Sequence, residues 1–294
     1  MSTDLSVKGG TALRSRARVR RRFQPRWDLV LVYVPLAIGA VGILLPFIWM
    51  VATSLKTEGQ IFSNPAQLLP SQPTVQAYID VWRRIPFGRF FINSVIFAGS
   101  VTLVSLFLDS MAAYAFARLR FKGRDILFWV VLATLMVPFQ ITLIPLFLTV
   151  FHLGWLDTYQ GLIVPRATNA FGIFLLRQFF LTLPPELDDA ARIDGAGEFR
   201  IYWQIILPLS LPALATLAVF HFMYNWNDFL WPLIITSSPE MRTLPAGLTL
   251  FMGNYVIEHS ILMAGATISL LPLAIAFVFL QRYFVRGVAM TGLK

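Results

Sequence analysis

The sequence predicts an all-α, polytopic membrane protein of about six transmembrane helices. Three observations carry that expectation. Of 294 residues, 57% are hydrophobic and only 13% charged, against roughly 25% charged in an average soluble domain. Six apolar stretches each reach about twenty residues, the length an α-helix needs to cross the hydrocarbon core. Lys and Arg gather in alternate segments between those stretches. The net charge of +9 would otherwise suggest nucleic acid, but its placement, in the amino-terminal tail and in short loops, is that of membrane topology. Cysteine is absent, which excludes disulfide and thiolate chemistry.

In order, residues 1–28 form a basic tail with Lys8, Arg14, Arg16, Arg18, Arg20, Arg21, Arg22 and Arg26. The tail is long for the basic region of a signal peptide, and no small-residue cleavage site follows the next apolar stretch. It is therefore read as an uncleaved cytoplasmic start. The first span covers 29–51. An extracytoplasmic loop, 52–89, is rich in Ser, Gln, Asn and Pro and holds a short interfacial helix near 78–82. The second span is 90–116, followed by a basic turn at 117–125. The third, 126–148, contains Pro138 and Pro145, which are tolerated where neighbours satisfy the freed carbonyls. A loop without Lys or Arg, 151–159, leads to the fourth span, 161–181. A charged segment, 186–208, precedes the fifth span, 209–235. A polar loop at 236–259, a sixth span at 261–280 and a cytoplasmic tail at 283–294 complete the chain, with 90–282 as the core. Seventeen Lys and Arg fall in the proposed inner segments and five in the outer ones, so the positive-inside rule puts both termini in the cytoplasm of a plasma-membrane protein.

The charged segment is the longest run in the apolar part of the chain that a bilayer would refuse. Glu186, Asp188, Asp189, Arg192, Asp194, Glu198 and Arg200 lie between two spans and must sit in water. Pro184 and Pro185 suit a helix start. The acids of the first turn complement the helix dipole. Gly195 and Gly197 end the helix after two to three turns. Ala190 and Ala191 leave room for another surface to approach. A second helical run over 199–206 leads into Leu207-Pro208.

This segment resembles the EAA loop of permease subunits of binding-protein-dependent ABC importers. The family pattern is E-A-A, three residues, G, nine residues, I, one residue, L-P. Here it reads Asp189-Ala190-Ala191, Gly195, Ile205 and Leu207-Pro208, with Asp194 before the glycine. The departure is Asp189, one methylene shorter than the usual Glu. Asn93-Ser94, the run AAYAFARLRFKGR at 112–124, LPPEL, the run NWNDFL at 225–230 and QRYFVRGV are similar to the carbohydrate (maltose-type) branch. The similarity runs from about 54 to 292.

The resemblance implies the type I importer fold and movement of a sugar or polyol by alternating access. It implies a second, different permease subunit, two ATPase subunits that bind ATP and Mg, and an extracytoplasmic solute-binding protein. The chain itself would be no enzyme and hold no cofactor or metal; it lacks any Gly-Lys pair and so any phosphate loop. Asp189, Ala190, Ala191, Asp194, Gly195, Ile205, Leu207 and Pro208 would then couple to the ATPase, with Asp189 and Asp194 offering carboxylates to its basic residues.

Inside the spans, Asp109 and Arg177 lie roughly 10–14 Å from the inner ends at 1.5 Å per residue. Charges at depth pair or face water, so the two are expected to pair or to line an inner cavity; snorkelling is the alternative. Asn225, Trp226, Asn227 and Asp228, near Trp231, combine hydrogen-bonding groups with aromatic faces, as a sugar path or outer gate requires; interfacial packing is the alternative. Arg166 is expected to be merely interfacial, and chance to explain the scattered His152, His221 and His259 better than a metal site or a general base. Two other classes stay open. An ion-coupled secondary transporter would carry more spans and mid-membrane ion sites, and a membrane enzyme would need grouped His or acidic residues. Within the preferred class, a glycerol-phosphate importer fits the coupling motif as well as a sugar importer does.

Overall fold

The computed structural model describes residues 27–252 and 257–292. Residues 1–26 of the expected basic tail at 1–28 and the last two residues of the expected carboxyl-terminal tail lie outside them. The chain divides into a unit Met1–Pro46 and a unit Phe47–Lys294. Among the described residues every regular element is helical, and the one β feature is a bridge between Met252 and Ile257.

Helix α1 (Trp27–Ser54) carries Pro35 and Pro46 within it and opens in the first unit. Two short helices follow, α2 (Glu58–Ser63) and α3 (Gln76–Arg84). Glu58 accepts from both the N–H and the hydroxyl of Ser260 at 2.7 and 2.8 Å. It thereby satisfies one of the free donors that open the last helix, α15 (His259–Gly292). Helix α4 (Phe87–Arg118) is long and apolar enough to cross a membrane alone and buries Phe90, Asn93, Phe97, Val101, Ser105, Asp109, Ala113 and Ala117. Their spacing of three and four residues gives one buried stripe, against which the later helices α8 and α12 pack.

Four of the expected spans change shape. The third is no single helix. Helix α5 (Arg124–Ala133) and helix α6 (Phe139–His152) meet at a 100° bend. Pro138 forces Val137 into extended backbone and removes a helical donor; Pro145, by contrast, stays inside α6. The fourth is broken as well. Helix α7 (Tyr159–Ile163) ends in a 3-10 turn through Pro165, and helix α8 (Ala170–Thr182) restarts where the Asn169 side chain caps the Phe171 N–H. After α9 (Glu186–Ile193) and α10 (Glu198–Ile201) the chain winds as a π-helix, Tyr202–Ile206, and then as α11 (Leu207–Leu209). It turns 79° at Ser210 into α12 (Leu211–Trp226), so the fifth span has a corner at its start. It also stops at Trp226, and α13 (Leu230–Ile235) is a separate helix. Helix α14 (Leu244–Gly247) follows. Helix α15 is longer than the expected sixth span and runs through the stretch read as a tail. By length and composition α1 and α4 can cross a membrane alone, the two bent pairs would raise the number to four, and α8 and His259–Ile275 are shorter apolar helices. These are the six apolar segments of the sequence.

Apolar packing concentrates in three places. One cluster, including Ala113, Leu176, Phe180, Ala191, Ile201, Ile206 and Leu217, lies beneath the charged segment. A second joins α3, α4, α14 and α15, and a third surrounds Trp231.

Candidate functional site

Helix α9 opens on Pro185 with Glu186, Asp188 and Asp189 in its first turn. It ends in a Schellman turn: the Gly195 N–H bonds to Arg192 O at 3.0 Å and the Ala196 N–H to Ala191 O at 2.9 Å. Gly195 has φ +79°, a conformation that costs other residues about 1–2 kcal/mol. The turn leads into α10, which an Arg192–Glu198 ion pair ties to α9, so α9, α10 and the π segment form an elbow.

The coupling residues read from the sequence divide between two faces. Asp189, Ala190, Asp194 and Gly195 are exposed, as is Pro208. Ala191 is buried in the chain's own core, while Ile205 and Leu207 are half-buried against it. Ala191 is therefore unavailable to another surface. Asp189 pairs with Arg192 at 3.0 Å. The sequence reading missed Asp188, which faces inward, is 3% exposed and lies 3.5 Å from Arg118 Nε. It also missed the apolar outer surface of the elbow: Ile193 is 86% and Phe199 64% exposed, and Phe199 stacks on Trp203.

Glu198 sits where the two arms of the elbow meet. It accepts from Arg192 Nε at 2.9 Å and from the Tyr114 hydroxyl at 2.8 Å. The Arg192 guanidinium holds its carboxyl below the ordinary glutamate range; burial opposes this, and the Tyr114 hydrogen bond adds to it. Asp188 moves the other way: burial pushes its carboxyl up, with Arg118 and then Arg192 pulling it back. A groove of about 590 Å³ runs between α9 and the end of α4, lined among others by Arg118, Arg120, Arg124, Asp188, Arg192 and Glu198.

Deeper in the bundle, Asp109 and Arg177 do not pair. Asp109 Oδ1 accepts from the Thr168 hydroxyl at 2.6 Å and the Asn169 N–H at 3.1 Å, and its Oδ2 lies 3.3 Å from His221 Nε2. Gly172 makes room for it: a Cβ there would collide with Asp109 Oδ2 and come within 3.0 Å of His221 Nε2. Arg177 instead donates to Phe116 O at 3.2 Å and lies 4.1 Å over the Phe128 ring. His221 joins α12 to α4 and to the start of α8.

The four residues expected on a solute path are mostly spoken for. Asn225 donates to His221 O at 2.8 Å, and Trp226 Nε1 to Ser269 O at 3.1 Å. Asp228 pairs with Arg166, and its other oxygen accepts from the Trp231 N–H at 3.3 Å. Asn227 is exposed and donates to Met223 O at 2.9 Å. Arg166 is a structural ion-pair partner rather than an interfacial residue: its side chain is 12% exposed and its guanidinium lies 3.9 Å over the Phe139 ring. It joins three helix breaks, those before α6, before α8 and after α12.

The family model described as binding-protein-dependent transport system inner membrane component matches residues 106–290, more than half of the chain. The sn-glycerol-3-phosphate transport system permease protein of Yersinia pestis is 37% identical over 267 residues, covering 88% of this chain and 95% of that protein. The arabinooligosaccharides transport system permease protein of Halalkalibacterium halodurans is 36% identical over 281 residues, covering 94% and 100%. A solved chain of a bacterial ABC transporter involved in the import of the acidic polysaccharide alginate superposes with a TM-score of 0.77 at 26% identity, over 90% of this chain and 99% of that one. A second, from the alginate transporter in complex with a pentasaccharide-bound periplasmic protein, shares the fold at TM-score 0.64 and 15% identity, over 90% and 96%. An exposed, charged elbow set among apolar helices and a likeness that spans most of the sequence lead to one assignment: the chain belongs to the binding-protein-dependent transport system inner membrane component family and is a permease subunit of an ABC importer.

Proposed function

We propose that this permease moves a sugar or related polyol by alternating access. It would pair with a second, different permease subunit and receive its drive from two ATPase subunits, which bind ATP and Mg. An extracytoplasmic solute-binding protein delivers the solute; the solved alginate transporter with its periplasmic protein supports that partner. Both termini and the elbow then lie on the cytoplasmic side of the membrane, with lipid around the apolar helices. The observation that carries the reading is the elbow itself: a helix stopped by a left-handed glycine, presenting Asp189, Ala190, Ile193, Asp194 and Phe199 outward. An exposed ion pair alone is worth about 0–1 kcal/mol, so shape and apolar contact at Ala190, Ile193 and Phe199 carry much of the docking.

The test is the purified complex in mild detergent, followed by its ATPase activity with candidate solutes. Stimulation by oligosaccharide supports the sugar reading. Stimulation by sn-glycerol 3-phosphate alone replaces it with the second reading, which the Yersinia relative favours. Uptake that continues without ATP but collapses with the ion gradient would make the chain a secondary transporter instead.

A further inference from the structure

Asp188 and Asp189 are adjacent but face opposite ways, and the inward one belongs to a larger pattern. Ser110, Tyr114 and Arg118 follow one another at intervals of four residues, which puts them on one side of α4 along roughly 12 Å of its axis. Each grips a different piece of the elbow region. The Ser110 hydroxyl lies 2.8 Å from the Tyr202 hydroxyl in the π segment. The Tyr114 hydroxyl donates to Glu198 at the start of α10 at 2.8 Å. Arg118 Nη2 donates to Phe180 O and Leu183 O at 2.8 and 2.7 Å, closing the end of α8, and its Nε faces Asp188 of α9. Ser110, Tyr114, Asp188 and Tyr202 are all buried. Buried polar groups are costly to unpair, and the apolar cluster of Ala113, Ala117, Ile201 and Ile206 fills the space between them. A joint held at one point pivots; one held at three points along a rod cannot turn without breaking contacts.

We propose that Ser110, Tyr114 and Arg118 form an internal strut that positions the elbow on α4, so that a displacement applied to α9 reaches α4 undiminished. Asp188 is its inward anchor, and Asp189 is left to the outer surface. The inference rests on the reading of 186–208 as the coupling segment.

The absence of cysteine supplies the experiment. Ile92 is exposed near the far end of α4, so an Ile92→Cys chain labelled with an environment-sensitive fluorophore and assembled with its partner subunits reports motion there. Signal from partner cysteines is subtracted with the unsubstituted complex. ATP with vanadate shifts the fluorescence in this background. Adding Ser110→Ala and Tyr114→Phe lowers the shift at least fivefold, while the ATPase subunits still co-purify and hydrolyse ATP. Glu198→Gln, which keeps an acceptor for Tyr114, retains most of the shift. A full shift in the double variant overturns the strut, as does the lack of any shift in its parent. A parallel loss of ATPase activity and thermal midpoint reduces the stripe to scaffolding and overturns it too. The outer face tests the underlying reading separately: if Asp189→Arg with Ile193→Asp leaves ATPase co-purification and import unchanged, the coupling assignment itself fails.

Discussion

Two glycines show how much a single position carries. Nothing lies within 4 Å of the place a Gly195 Cβ would occupy, so substitution there acts through the backbone alone. Gly195→Ala is expected to cost about 1–2 kcal/mol and to lower import without removing the protein from the membrane. Gly195→Asn, which tolerates left-handed backbone better, is expected to lie between alanine and wild type in the same uptake assay; equal uptake by all three would remove the turn from the mechanism. Gly172→Ala acts through space instead. Its methyl group would strike an Asp109 carboxylate already held by Thr168 and Asn169 and packed against His221. Overpacking of this kind costs about 1–3 kcal/mol, readable as a lowered thermal midpoint in detergent. The first glycine was legible because a helix stop after charged residues is a local signal. The second was not, because Asp109 and His221 meet only through tertiary structure, and a lone histidine in an apolar run carries no local sign of its partner.

At the scale of elements, the helix breaks matter more than the helices. Arg166 and Asp228 close the gap between two such breaks, and both are largely buried. Asp228→Ala leaves an unpaired buried guanidinium and is expected to cost about 3–5 kcal/mol. Replacing both partners with apolar residues, Arg166→Met with Asp228→Leu, is expected to cost much less. Chemical denaturation of the four-variant cycle measures this; additive costs would mean the pair contributes nothing. Hydropathy found every one of these segments but not their corners. An apolar average is blind to direction, and Pro138 looks the same in a sequence whether the helix absorbs it or turns at it. The run at 225–230 sets polar and aromatic residues side by side in the sequence. Their polar groups, however, are occupied by backbone carbonyls, by the Trp231 N–H and by Arg166, so the solute-path reading keeps only Asn227 exposed.

For the whole molecule, acid stability should reflect two opposed carboxylates in the elbow. Glu198 is held below its ordinary value of 4.5, so its contribution is complete above that range and fades as pH falls through the lowered value. Asp188, raised above its ordinary 3.8 by burial, takes its proton sooner, and its protonation favours the folded state as pH falls while relaxing the attraction to Arg118. Thermal unfolding followed from about pH 7 to pH 3 is expected to decline at the acid end, and Glu198→Gln is expected to flatten that decline; an unchanged slope would assign it elsewhere. Class and the number of apolar segments were readable from composition and hydropathy, and the helix start and glycine stop of 186–195 from local signals. The inward anchor at Asp188 was not, because neighbouring aspartates on a short helix look equivalent until something packs against one of them.

The right-angle turn between α5 and α6 limits the kinds of movement open to the protein. A straight rod can slide along its own length like a piston. A rod with a corner cannot, since sliding along one arm would drag the other arm sideways. A load applied at one end of this pair of helices can be answered by swivelling about Pro138, and an opening that swivels widens at one mouth as it narrows at the other.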